Sequence, residues 1–445
     1  MLNRQSDLME TISPQPTPQE TQPNVHWPSV WQFGLSLFGI LALWGFSATM
    51  LLVALSSILT GDTVGALVVL LNAAGTAFAG LLLIPSAGYA LLHLLGKPDA
   101  FRFQLRHPGW VILALPPVLL LGHWAANTDM VAYFLLPFMH VLAAVISVAW
   151  LLTLGLRGLS LYSPQLGWGV FSCGLVGAPL LSLITELAVL IFLVILGMFY
   201  LAQEPQVLDA LLNLTQTMPP DAPETAVEIL QPYVTQPGTL FVVFTFGSLL
   251  VPLLEELFKP IGVWLLAWRQ PTQAQGFAAG LISGAGYALF ENFALGASAG
   301  SDWAMVILAR MGTSLIHILT TGLMGWALVL AWREQRYLRL MATYFLAVAI
   351  HGAWNGMVIL TAVVDLSSMD VAIPEILQIM GTAAPLIFAL LIGLCLLLLL
   401  GSNAILRRKF SSEDDIIPPA QLQNEPQIEN DEKEILSDGN YYQSD

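Results

Sequence analysis

Apolar residues run through this sequence in long blocks, and polar residues gather in short clusters between them. Ten blocks stand out, near 29-59, 64-96, 108-125, 130-154, 169-202, 238-268, 274-298, 303-332, 340-364 and 376-401. Most hold about 20 residues or more, enough for a helix to cross a hydrocarbon core about 30 Å thick. The pattern predicts an all-α fold, a polytopic transmembrane helix bundle of about ten spans. Five regions follow: a disordered N-terminal tail (1-28), a five-span accessory membrane region (29-202), an external loop (203-237), a second five-span membrane core (238-401) and an acidic disordered C-terminal tail (402-445).

Composition agrees. Hydrophobic residues make up 56% of the 445-residue chain and charged residues 10%, against roughly 25% charged in an average soluble domain. A water-facing surface cannot be built from that. The formal net charge of -15 says little about the spans, because 410-445 holds ten acids and one lysine. We read that tail as solvated, and no nucleic-acid partner is expected. Cys173 and Cys395 both fall in apolar blocks, where a lone thiol behaves as a small hydrophobe. The first 26 residues are rich in Pro, Gln and Thr, and the apolar run after them is too long for a signal-peptide core.

Charge also orients the spans, since cytoplasmic loops hold the Lys and Arg excess. Threading ten spans puts 13 of the 15 basic residues on one side, from Arg4 and Lys97 through Arg269 and Arg333 to Lys409 and Lys433. The opposite loops hold none. Both termini are therefore expected in the cytoplasm. The remaining two, Lys259 and Arg310, lie inside spans.

An ionisable side chain within a span is costly and by default marks a functional site. Four successive spans of the second half carry several. Span six reads Pro252-Leu-Leu-Glu-Glu-Leu-Phe-Lys259. Glu255 and Lys259, four apart, share a face, and Glu256 points about 100° away, so the two carboxylates should have different jobs. The plainer reading is an ion pair with a spare glutamate, Lys259 snorkelling to the cytoplasmic end. Span seven opens with a small-residue run, Gly276 to Gly286, suited to close helix approach. Tyr287, Glu291 and Asn292 follow, and for the last two the plainer reading is an interhelical clasp. Span eight carries Arg310 and His317, and span nine carries His351 and Asn355 one turn apart. Counted from the external ends, Glu255 is about 17 residues in, His317 and His351 about 14, at about 1.5 Å per residue. Glu291, about 7 in, is shallower and reaches the others only through tilt or a break. Four unconnected clasps at compatible depth are a poorer account than one shared site. Glu186, His93 and His140 have no partner at helical spacing and are read as structural.

The series Glu255-Glu-x-x-Lys259, Tyr287-x-x-x-Glu291-Asn292, His317 and His351-x-x-Trp354-Asn355 resembles the PrsW family of intramembrane proteases over about 240-360. That family looks distantly related to the CAAX-processing and bacteriocin-processing membrane proteases. Tyr287 stands where the pattern usually has Phe, a change that keeps the aromatic packing. The resemblance implies a protease core in 238-401, cleavage of a single-span membrane protein such as an anti-sigma-factor-like regulator, and a bacterial plasma membrane.

Hydrolysis of a peptide bond needs a water, a base and donors for the oxyanion. Glu255 is the expected base. Glu256 and Glu291 would orient histidines or hold Lys259, while His317, His351 and Asn355 position water and stabilise charge. Lys259, Asn292, Arg310 and Trp354 are expected as supporting residues. A metal-free route is preferred because no His-Glu-x-x-His motif occurs. Zinc is the alternative cofactor, with His317, His351 and Glu291 as candidate ligands. Two further readings stay open: a proton- or cation-coupled transporter or channel using the same groups, and a silent membrane scaffold.

Overall fold

The computed structural model describes residues 26-97, 109-201 except 160 and 162, 236-294, 297, 302-366 and 373-414. Among them the chain is entirely helical, as expected. Nine stretches are long and apolar enough to cross a membrane. The remaining predicted span, the seventh, 274-298, forms a 22-residue helix with most of its residues buried by the others. The protein is a multi-pass integral membrane protein: its apolar outer surface has to face lipid, and only helices satisfy their own backbone there.

The first half comprises α1 (Trp27–Thr60), α2 (Thr63–Leu82), α3 (Ile84–Leu94), α4 (Leu115–Ala126), α5 (Asp129–Gly155), α6 (Pro164–Ser172) and α7 (Ala178–Leu201). α2 and α3 form one span broken at Leu83, because Pro85 has no N–H to donate one turn back. Gly61 ends α1 at φ +89°, a left-handed conformation natural to glycine. Asp62 then caps α2, accepting from the Gly65 amide at 2.9 Å. α6 and α7 join through a π turn, Cys173–Gly177, into one long span.

The second half comprises α8 (Pro237–Thr245), α9 (Val251–Phe258), α10 (Ile261–Trp264), α11 (Gln273–Ala294), α12 (Trp303–Glu334), α13 (Tyr337–Asp365) and α14 (Glu375–Asp414). α14 runs past residue 402, where the tail was expected to start. The other tail residues and the external loop 203-235 lie outside the described residues.

α11 is the centre of the bundle, and the small-residue run explains how. A Cβ on Gly276, Gly280 or Gly284 would collide with the α12 backbone at Gly325, Thr321 or His317. The three glycines, each four residues apart, therefore let two backbones touch at three points over about two turns. On another side, a Cβ on Gly286 would strike Phe171 and Leu175, and one on Gly174 would strike Ser283. The π turn of the fifth span thus sits directly on α11. This close contact brings side chains of α9, α11, α12 and α13 into one buried layer.

Candidate active site

Proline sets the backbone around the carboxylates. Pro252 cannot donate to the Ser248 carbonyl, and there the sixth span widens into a π turn, Phe246–Leu250, between α8 and α9. Two features of α13 accommodate the wider turn. Asn355 Nδ2 donates to the Gly247 carbonyl at 3.1 Å, and Gly352 leaves room for the Ser248 carbonyl, which a Cβ would strike. Pro260 ends α9 at the other side of the motif. The Lys259 carbonyl there accepts from Ser283 Oγ of α11 at 2.6 Å. Tyr344 Oη of α13 donates to the Leu253 carbonyl at 2.7 Å. The Glu-Glu-x-x-Lys segment is therefore clamped by both neighbouring helices.

Glu255, Glu256, Lys259, Glu291, His317 and His351 are all buried. Lys259 does not snorkel. Its Nζ lies 2.9 Å from Glu255 Oε2, 2.8 Å from Glu256 Oε1 and 3.2 Å from His351 Nδ1. It also lies 4.7 Å from the centre of the Tyr287 ring, a cation–π distance.

The two carboxylates take opposite edges of His351. Glu256 Oε1 is 3.0 Å from Nδ1 and Glu255 Oε2 is 3.7 Å from Nε2. Nδ1 of His351 thus faces both an acceptor, the Glu256 carboxylate, and a donor, the Lys259 ammonium, while Nε2 faces Glu255. His317 repeats the arrangement. Its Nε2 faces Glu291 Oε2 at 3.0 Å, which Arg310 Nη1 also approaches at 3.2 Å, while Nδ1 is buried with no hydrogen-bond partner among the described residues. The imidazoles meet edge to face with centres 5.2 Å apart, and Tyr287 packs against His317 at 5.3 Å.

One ligand atom each from Glu255, His317 and His351 lies within 4.8 Å of the others. Two imidazoles and a carboxylate are a sufficient set for catalytic zinc. Each histidine is backed by a carboxylate on its other nitrogen, as metal-bound histidines usually are. The buried, unpartnered Nδ1 of His317 has a natural occupant in such an ion. These residues fit a divalent metal. Glu255 holds the ligand place that the sequence offered to Glu291, and Glu291 stands behind His317. Glu291 reaches the layer despite its expected shallow position because of the register of α11 along α12, which sets Gly284 beside the His317 backbone.

The other expected residues sit around this centre. Asn292 Nδ2 donates to Ser314 Oγ at 3.0 Å, and its carbonyl accepts from His140 Nε2 at 3.2 Å, tying α5 to α11. Trp354 packs over Gly312 and against Phe388. Asn355 braces the π turn. Outside the expected set, Glu186 stands on α7, which packs against α9, the helix of Glu255, and α11, the helix of Glu291. No spacing rule connects it to them, since the link is a packing of the fifth span on the sixth and seventh.

Neither the comparison with curated proteins nor that with solved structures gave a match. The expected resemblance over about 240-360 is borne out and extended on both sides: residues 185–393 match the model of the PrsW family intramembrane metalloprotease, a stretch that contains every member of the cluster.

Proposed function

We propose that the protein is an intramembrane endopeptidase that hydrolyses single-span membrane proteins, with Glu255 as the base. The observation that carries this reading is the convergence of the Glu255 carboxylate with a ring nitrogen from each of His317 and His351, inside the region matched by the protease family. Lys259 meets one side of Glu255, and a water or a cation held among the three groups would satisfy what hydrogen-bonding capacity they have left.

Glu255 differs from Glu256 in ways that suit a base. It is 6% exposed against 0%, and it stands farther from His351, at 3.7 Å against 3.0 Å. Glu255 takes a proton from the water as its oxygen bonds to the scissile carbonyl carbon. It returns that proton to the amine as the C–N bond breaks. Glu256 and Glu291 each hold one ring nitrogen, of His351 and His317 respectively, and so fix how the rings are turned. Lys259 holds positive charge beside the developing oxyanion and pairs with Glu256. Glu255, His317 and His351 would hold a divalent metal, which when bound polarises the carbonyl and makes the water more acidic. A carboxylate has two oxygens, so serving as a ligand leaves Glu255 able to accept the proton.

A metal-assisted site is thus favoured over the metal-free route preferred from sequence. We orient the protein with both termini in the cytoplasm, on the Lys and Arg distribution of the loops, and assign the substrate to the class of membrane-anchored regulators. The test is co-expression with a tagged single-span reporter. Glu255→Gln, His317→Ala and His351→Ala should each abolish cleavage at equal expression, and unchanged cleavage in all three would sink the proposal.

A further inference from the structure

α7 is an almost wholly apolar helix, yet it carries a carboxylate in mid-span. Glu186 Oε1 is buried and has no hydrogen-bond partner among the described residues. An ionisable group so placed is costly unless something satisfies it. The proposed mechanism does not use it.

Its surroundings point to an occupant. An apolar groove of about 370 Å³ is lined by Leu190, Leu193 and Val194 of α7, by Val242, Val243, Phe246 and Gly247 of the sixth span, and by Ile359 of α13. Leu190, Leu193 and Val194 stand four, seven and eight residues beyond Glu186, on the same helix face. On α13, Ile359 stands four beyond Asn355 and eight beyond His351, again on one face. In the sixth span, Gly247 precedes Glu255 by eight. All three walls of the groove therefore lead, along their own helices, to the polar layer. Glu186 is not itself part of the lining; it stands one turn from Leu190 on the α7 face that supplies this wall, on the side toward the polar layer.

A helix must unwind before one of its peptide bonds can be hydrolysed, and its freed N–H groups then need acceptors inside the bilayer. The groove lining is almost entirely apolar. The Glu186 carboxylate is an acceptor at the right junction. We propose that Glu186 is a substrate-binding residue, accepting a hydrogen bond from a main-chain N–H of the unwound substrate segment next to the scissile bond. This inference rests on the protease reading above.

The test compares Glu186→Leu, which suits an apolar span, with Glu186→Gln, which keeps an acceptor oxygen. The purified full chain cleaves a fluorogenic single-span peptide in detergent micelles, and KM and kcat are read separately. A lost hydrogen bond to a charged group corresponds to about a tenfold or greater rise in KM. Glu186→Leu should show that rise with kcat changed less than about twofold, and Glu186→Gln should recover most of the affinity. Unchanged KM in Glu186→Leu overturns the proposal. So does a fall in kcat alone, which assigns Glu186 to proton transfer, or an equal defect in both variants with lowered melting temperature, which makes it structural. Failure of the wild-type protein to cleave any such peptide refutes the protease reading instead.

Discussion

Two polar clusters lie inside this bundle, and they are built on opposite principles. The first joins α1, α3 and α6. Its His26 and His93 rings stack at 4.3 Å, His26 Nδ1 meets Ser29 Oγ, and His93 Nδ1 meets Gln165 Oε1. Gln165 Nε2 then donates to Ser29 and Gln32, Gln32 donates to Ser86, and Ser36 donates its one hydroxyl proton to Ser86. Donors and acceptors match, and the group behaves as a clasp. The second cluster, among α9, α11, α12 and α13, has an excess of acceptors. His317 Nδ1 and Glu256 Oε2 have no hydrogen-bond partner among the described residues, and Glu255 converges with a ring nitrogen of each of two histidines. A balanced network holds helices together. An unbalanced one, kept in place by the packing around it, is ready to bind something else.

The largest effect that would separate the two belongs to the base. Glu255→Gln is isosteric and should lower the rate of reporter cleavage by at least about a hundredfold with the melting temperature little changed. The carboxylates behind the histidines come next. Glu256→Gln and Glu291→Gln should each cost about ten- to a hundredfold in activity or metal affinity, read by cleavage rate and by metal content per chain. A comparable loss from Gln165→Leu would erase the distinction between the clusters.

Packing predictions are smaller for chemistry and larger for folding. Gly284→Val puts a side chain into the α12 backbone at His317, and Gly352→Ala puts one against the Ser248 carbonyl. Overpacking of this kind costs about 1–3 kcal/mol. Both should appear as lower melting temperature and lost activity together. Smallest of all, Gln165→Leu should cost about 1 kcal/mol in stability while leaving reporter cleavage within twofold of wild type.

Much of this was legible in the sequence for physical reasons. Apolar blocks of membrane length have one solution, so the helices and their order follow directly. Spacing of four put Glu255 with Lys259 and His351 with Asn355 on shared faces. The run Gly276 to Gly286 announced the close contact of α11 with α12. Other features depend on three dimensions. That Glu255 rather than Glu291 completes the trio with the histidines depends on the depth to which α11 slides along α12. Lys259 looked free to snorkel because nothing in the chain shows the two carboxylates and the Tyr287 ring that surround it. The π turns arise where a missing proline N–H or a small-residue contact relaxes the backbone, and periodicity does not register one extra residue per turn. Glu186 looked isolated because its neighbours come from other spans.

The central claim is that the unbalanced cluster hydrolyses peptide bonds. Its most direct test reconstitutes purified protein with one purified single-span substrate in proteoliposomes, with Glu255→Gln in parallel, and identifies the products by mass. The account predicts a cut inside the substrate's apolar segment by the wild-type protein and none by Glu255→Gln. Equal cleavage by both proteins would contradict it, and so would an intact substrate accompanied by proton or cation movement across the membrane.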